Sequence, residues 1–164
     1  MVDEPDNDSL NLLEPHWERE PLLKQFERTT KGTIRTCERC CHRKPDRTHH
    51  CRLCDSCVLK MDHHCPWIAN WVGYYNYKFF FLMIFYGSVC LNIFTSTFWE
   101  AVYVNFHDPE RDAYFCFFVV FSYSLLSLLT FIVFCFCLFH IYLLANNYTT
   151  IEYWEKKRQG NSVY

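Results

Sequence analysis

The chain has 164 residues, 51% of them apolar and 20% aromatic, with 11 cysteines, 8 histidines and a formal charge of −2. That length suits about one domain, which excludes a multidomain enzyme within these residues, and a near-neutral charge lacks the basic footprint of a nucleic-acid binder, so no nucleic-acid partner is expected. The mean hydropathy of −0.11 averages a polar half with a strongly apolar half and says little by itself.

Residues 1–36 hold 8 acids and 5 bases, carry Pro5, Pro15 and Pro21, and show no sustained hydrophobic period. They read as a polar, flexible cytosolic arm. With no basic stretch followed by an apolar one, no cleavable signal peptide is expected there. Residues 37–78 hold 7 bases and 4 acids, and 7 cysteines crowd with 5 histidines between Cys37 and Cys65. Histidine adds nothing to a disulfide framework but ligates metals well, so a zinc-bound block is expected rather than a secreted disulfide scaffold. Too little of this block is apolar to build an ordinary core, so bound metal has to supply its stability.

Residues 79–99 contain no charged side chain. Over these 21 residues a helix rises about 31 Å, close to the roughly 30 Å hydrocarbon core of a bilayer, and a transmembrane helix is expected. Residues 100–112, with 4 acids and 1 base, form a short lumenal or outer loop. From 113 to 151 there is no Asp, Glu, Lys or Arg and no Pro or Gly. One long transmembrane helix is therefore expected over 113–147, tilted or projecting beyond the bilayer. Residues 148–164 form a cytosolic tail that includes Lys156, Lys157 and Arg158. Bases flanking both spans and acids between them put both termini in the cytosol, a compartment that keeps thiols reduced. The expected fold class is an α-helical integral membrane protein: two transmembrane helices plus a cytosolic Cys/His-rich, zinc-bound block of mostly irregular and short β structure.

Within the block, Cys37-x2-Cys40 and Cys51-x2-Cys54 have the spacing that sets two thiolates on one Zn²⁺, and Cys57 follows Cys54 after another two-residue gap. Two four-ligand sites would not exhaust the twelve Cys and His donors between Cys37 and Cys65. Asp62-His63-His64-Cys65 sets an acid, a base and a nucleophile within four residues. An imidazole can take a thiol's proton, and a carboxylate can orient the imidazole. On spacing alone, Cys65 is equally a further zinc ligand or a nucleophile.

Taken in order, these elements resemble the DHHC-type protein S-acyltransferases (palmitoyltransferases). The resemblance runs through Cys37-x2-Cys40, Lys44-Pro45-x-Arg47, His50-Cys51-x2-Cys54-x2-Cys57, Asp62-His63-His64-Cys65-Pro66-Trp67 and Gly73-x2-Asn76, and ends on Thr149-Thr150-x-Glu152 after the second span. It implies transfer of a long-chain acyl group, palmitoyl, from acyl-CoA to cysteines of substrate proteins in two ping-pong steps through a Cys65 thioester. It implies His63 as the base and Asp62 as its orienter. It also implies two structural zinc ions, one on Cys37, Cys40, His50 and Cys57, the other on Cys51, Cys54, His64 and a further cysteine. The implied partners are acyl-CoA, substrate proteins with membrane-proximal cysteines, and the lipid bilayer of an endomembrane (Golgi or ER) or the plasma membrane.

Two departures accompany the resemblance. Where the family reads Asn-Cys-Val-Gly, this chain reads Asn70-Trp71-Val72-Gly73, so the second zinc site lacks its usual fourth ligand. Three ligands plus water, a substitute from Cys41, His42 or His49, and an empty site all stay open. The family carries four spans with the block between the second and third; this sequence holds the later two, which reads as a fragment, a shortened gene model or a divergent member. The alternative to the enzyme is a catalytically weak or inactive zinc-binding membrane adaptor.

Overall fold

The structure is a computed structural model and describes residues 32–161. Up to residue 31 the arm expected over 1–36 lies outside the described residues, as do residues 162–164 of the expected tail. The chain divides into two compact units, Met1–Tyr75 and Asn76–Tyr164.

The first unit carries four strands of three residues each: β1 His49–Cys51, β2 Ser56–Val58, β3 His63–Cys65 and β4 Asn70–Val72. They pair as two separate antiparallel hairpins, β1 with β2 and β3 with β4. Hairpins this short do not stand alone in water, and their connections hold unusual backbone. The residue after each Cys-x2-Cys pair, Cys41 or Asp55, is left-handed, with φ of 57° and 48°; Arg47, Lys60 and Ala69 are left-handed too. The left-handed region costs a non-glycine residue roughly 1–2 kcal/mol, which so small an apolar core is poorly placed to offset. Pro66 starts the 3₁₀ turn Pro66–Ile68 between β3 and β4, where its fixed φ suits the bend. The Ala69 N–H closes that turn on the Pro66 carbonyl at 3.1 Å.

Two backbone bonds and one close approach fasten the ends of these hairpins. The Asp62 N–H donates to Val72 O at 2.8 Å and the Tyr74 N–H to Leu59 O at 3.0 Å. A Cβ on Gly73 would stand 2.7 Å from Val58 Cγ1 and 2.9 Å from Leu59 O. Only glycine lets the chain leaving β4 pass this close to the end of β2. Val58, Leu59, Met61 and Val72 are buried here.

The second unit is helical: α1 Tyr77–His107, α2 Ala113–Ala145 and α3 Thr150–Asn161. α1 outruns the expected span of 79–99 at both ends. Freedom from charge limits which residues suit hydrocarbon, not which can be helical, and residues 100–107 contain no Pro or Gly. Most of the expected 100–112 loop is therefore helix, and the connection shrinks to residues 108–112. There Arg111 pairs with Asp108 at 2.8 Å, and Asp112 caps α2 by accepting from the Tyr114 N–H at 3.3 Å.

α2 stops at Ala145, short of the expected 147, because Asn147 turns left-handed at φ 54°. The Asn147 N–H then donates to Leu144 O at 3.1 Å and the Tyr148 N–H to Leu143 O at 2.9 Å, the paired closure of a Schellman motif. α3 opens on a capping box. Glu152 Oε2 accepts from the Thr149 N–H at 2.9 Å, and Thr149 Oγ1 accepts from the Glu152 N–H at 3.3 Å. The expected tail is thus helical from Thr150.

α1 and α2 pack along a narrow seam that buries Phe80, Ile84 and Ser88 of α1 and Thr130, Cys137, His140 and Leu143 of α2. Across it the Thr95 and Thr130 hydroxyls meet at 2.7 Å and the Tyr77 hydroxyl meets His140 Nδ1 at 3.3 Å. His140 stands edge-on to Phe80 and Phe136, with ring centroids 5.2 and 4.6 Å away. Elsewhere the apolar side chains point outward: only 17% and 22% of the most apolar stretches of α1 and α2 are buried. A core helix of a soluble protein would bury most of that surface; these two helices are long and apolar enough to cross a bilayer. Polar groups on the outer surface return to their own backbone, Asn92 Nδ2 to Ser88 O at 2.8 Å and Ser96 Oγ to Asn92 O at 2.7 Å. Such internal pairing is what hydrocarbon requires of polar side chains.

Candidate metal centres and the thiol site

Cys37, Cys40, His50 and Cys57 come together with their ligand atoms all within 4.8 Å of one another. The local folding explains it. A tight turn closed by the Cys41 N–H on Cys37 O at 2.8 Å presents Cys37 and Cys40 together. The β1–β2 register sets His50 directly opposite Cys57, so both side chains leave one face of the hairpin. His50 Nδ1 lies 3.2 Å from Cys40 Sγ and 3.9 Å from Cys57 Sγ. On the other side of the ring, Nε2 has no hydrogen bond among the described residues and stands 3.4 Å from the Asp55 carboxylate, the kind of outer partner that metal-bound imidazoles take. Burial pushes the Cys57 thiol up, and Cys37 and Cys40 beside it push the same way. At Cys37 burial also acts upward, but the backbone N–H groups of Cys40 and Arg39, together with the Cys57 and Cys40 thiols, outweigh it and lower the thiol. Three thiols and one imidazole nitrogen facing a common centre fit the closed tetrahedral set that Zn²⁺ prefers.

Cys51, Cys54 and His64 form a second group, also within 4.8 Å, with the two sulfurs 3.5 and 3.4 Å from His64 Nδ1. Burial and the neighbouring Cys51 raise the Cys54 thiol, opposed by the Trp71 backbone N–H. The β3–β4 register sets Trp71 directly opposite His64, and an indole N–H is a donor with no lone pair for a metal. Among the described residues this group holds three donors, one short of the first. Cys41, His42 and His49 do not join it. Cys41 is exposed with its Sγ toward Glu38 O at 3.8 Å, and His49 lines a cleft beside Cys37 and His50.

β3 separates these ligands from the other candidate residues. Side chains alternate along a strand, so His64 goes to the metal group while His63 and Cys65 share the opposite face. His63 Nδ1 donates to Asp62 Oδ2 at 2.7 Å; the Asp62 side chain is fully buried and that of His63 is 25% exposed. Cys65 is 4% exposed. A buried carboxylate on Nδ1 holds the ring proton there, which leaves Nε2 as the basic nitrogen of the imidazole. Sequence reasoning missed Asp55, although its place directly after a Cys-x2-Cys pair marks it, and missed the packing role of Gly73.

Two helices of bilayer length and a Cys/His block with two groups able to hold a metal ion define the class as a helical membrane protein. A family model described as DHHC palmitoyltransferase matches residues 30–157. The chain is 43% identical over 132 residues to palmitoyltransferase ZDHHC15A of Danio rerio, a match that covers 80% of this chain and 40% of that protein. It is 45% identical over 139 residues to palmitoyltransferase ZDHHC20-B of Danio rerio (79% and 40%) and 41% identical over 140 residues to palmitoyltransferase ZDHHC2 of Homo sapiens (79% and 35%). The chain belongs to the DHHC palmitoyltransferase family, and it spans 35–40% of the length of these relatives.

Proposed function

We propose that the chain carries the acyl-transfer centre of a protein S-acyltransferase, passing a long-chain acyl group such as palmitoyl from acyl-CoA to Cys65 and from Cys65 to a cysteine of a substrate protein. The observation that carries this reading is the 2.7 Å bond from His63 to fully buried Asp62, on a strand whose alternation turns Cys65 to the His63 face. In the first step His63 Nε2 takes the Cys65 proton and Sγ attacks the thioester carbonyl carbon. The bond from that carbon to the CoA sulfur breaks, and His63 returns the proton to the departing CoA thiolate. In the second step a substrate cysteine gives His63 its proton and attacks the Cys65 thioester, and Cys65 leaves and recovers a proton. Each step replaces one thioester with another, so no external energy source is needed. Asp62 stabilises the imidazolium formed in both steps.

Cys37, Cys40, His50 and Cys57 would hold one Zn²⁺, with Cys51, Cys54 and His64 around a second. Bound zinc supplies structural cross-linking between turns that have little apolar core. α1 opens at Tyr77, twelve residues after Cys65. Bases flanking the spans and acids between them support cytosolic termini, on the side where acyl-CoA is dissolved. Trp71 favours a second reading, an inactive membrane adaptor, because it removes one metal ligand from the hairpin that carries the reactive residues. The deciding experiment labels membranes with a clickable palmitoyl-CoA analogue and adds a cysteine-bearing acceptor peptide. Hydroxylamine-sensitive label on the chain that moves to the peptide, and is lost in Cys65→Ser, supports transfer; no label leaves the adaptor.

A further inference from the structure

We infer that the two metal-binding groups are unequal: the one on Cys51, Cys54 and His64 is an open three-donor site whose fourth coordination position falls to a small exogenous ligand, water in the resting chain. Its Zn²⁺ exchanges, while that of the four-donor group stays. This rests on the metal reading of both groups, and it concerns position 71 of this chain.

The register puts residue 71 directly across from His64, on the face that carries the sulfurs. His64 Nδ1 stands 3.5 and 3.4 Å from the Cys51 and Cys54 sulfurs, so a donor side chain at the position paired with His64 would lie beside the metal, where the indole cannot serve. No carboxylate among the described residues joins the group. Asn70 Oδ1 accepts from the Trp71 N–H at 2.8 Å, and the Asp55 carboxylate stands against His50 Nε2 at 3.4 Å. His63 and Cys65 lie on the far face of β3. Charge points the same way: Zn²⁺ on two thiolates and a neutral imidazole is neutral and readily adds water, whereas three thiolates and an imidazole give a closed anionic set. Three protein donors with a replaceable fourth is the arrangement of zinc sites that keep an open position. Cys54 and His64 are only half-buried, which lets a competing ligand approach. Because His64 lies between His63 and Cys65 in β3, occupancy of this site acts on the strand that carries the reactive pair.

The test uses the full chain in detergent, loaded with Zn²⁺ and freed of excess, then chased with the chromogenic chelator pyridylazoresorcinol. One equivalent should leave in a fast phase and one in a slow phase. Loss of an outer partner alone weakens metal binding by up to about 100-fold, so losing a direct donor should separate the two phases by at least that factor. Trp71→Cys and Trp71→His each supply a fourth donor and should merge the fast phase into the slow one, while Trp71→Phe should keep it. A second readout loads Co²⁺ and adds imidazole. The d–d bands should move in the original chain and in Trp71→Phe, and stay in Trp71→Cys. Release of both equivalents in a single phase overturns the inference, as does failure of the original chain to bind a second equivalent from excess Zn²⁺. So does an original chain whose Co²⁺ bands ignore imidazole, which would reveal a fourth donor from elsewhere in the chain. These readouts do not depend on acyl transfer, so an inactive chain leaves the inference standing or falling by itself.

Discussion

Replacing Gly73 with alanine tests the packing that fastens the two hairpins. The new Cβ would meet Val58 Cγ1 at 2.7 Å and Leu59 O at 2.9 Å, whereas carbon contacts relax only at about 3.5–4.0 Å. The methyl group therefore has to open a gap of roughly 1 Å at Val58 to reach that separation. Neither neighbour can give easily. Val58 is 3% exposed, and Leu59 O holds the Tyr74 N–H at 3.0 Å, so moving it strains a backbone bond. Overpacking plus one weakened hydrogen bond comes to about 2–4 kcal/mol of destabilisation. Gly87→Ala is the matched control. It lies inside α1, where an added Cβ would meet nothing within 4 Å, and alanine there should stabilise the helix by about 0.5–1 kcal/mol. The assay denatures the zinc-loaded chain in detergent, following metal release for the first unit and far-UV circular dichroism for the helices. Gly73→Ala should lower the metal-release midpoint and leave the helical signal in place; Gly87→Ala should leave metal release alone. Equal metal-release midpoints for the two variants would refute the close-approach argument.

Three further outcomes follow from the same geometry. Asp62→Asn keeps the volume but removes the charge behind His63, so single-turnover acylation of Cys65 should slow by about 10²–10⁴-fold with zinc content unchanged; an unchanged rate contradicts the orienting role. Thr149→Val removes the side-chain oxygen that caps α3 and should cost that helix about 1 kcal/mol, read as faster amide exchange in its first turn; no change in exchange contradicts the capping role. Stripping both metals with a strong chelator should open the first unit to protease between residues 37 and 75 while the helical circular dichroism persists. Continued protection would mean that the apolar core, not the metal, holds the hairpins.

The two spans were legible because charge is absent over runs that match bilayer thickness, and hydrocarbon tolerates no other composition. Their ends were less legible. α1 runs on to His107 because the residues after Trp99 keep helical backbone bonds whatever their charge, and α2 ends at Asn147's left-handed turn, which an asparagine only permits. The capping box was present in the sequence as Thr149-x-x-Glu152, where it reads as part of a family motif rather than as a helix start. The hairpins were not legible beyond "short β", since strands of three residues are too brief to show an alternating pattern and their turns use Cys41, Arg47, Asp55, Lys60 and Ala69 in place of glycine. Spacing alone could not divide the cysteines and histidines between roles. The structure divides His64 from His63 and Cys65 through the alternation of β3, a property of register that no ligand count contains.

The measurement that bears most directly on the central claim is peptide mapping of the chain after brief exposure to palmitoyl-CoA, with the thioester preserved at mildly acidic pH. The account predicts one palmitoyl thioester on the peptide that carries Cys65, absent after neutral hydroxylamine and absent when His63 is replaced by alanine. Acylation at exposed Cys41, or at the helix cysteines, with Cys65 left as a free thiol would contradict it.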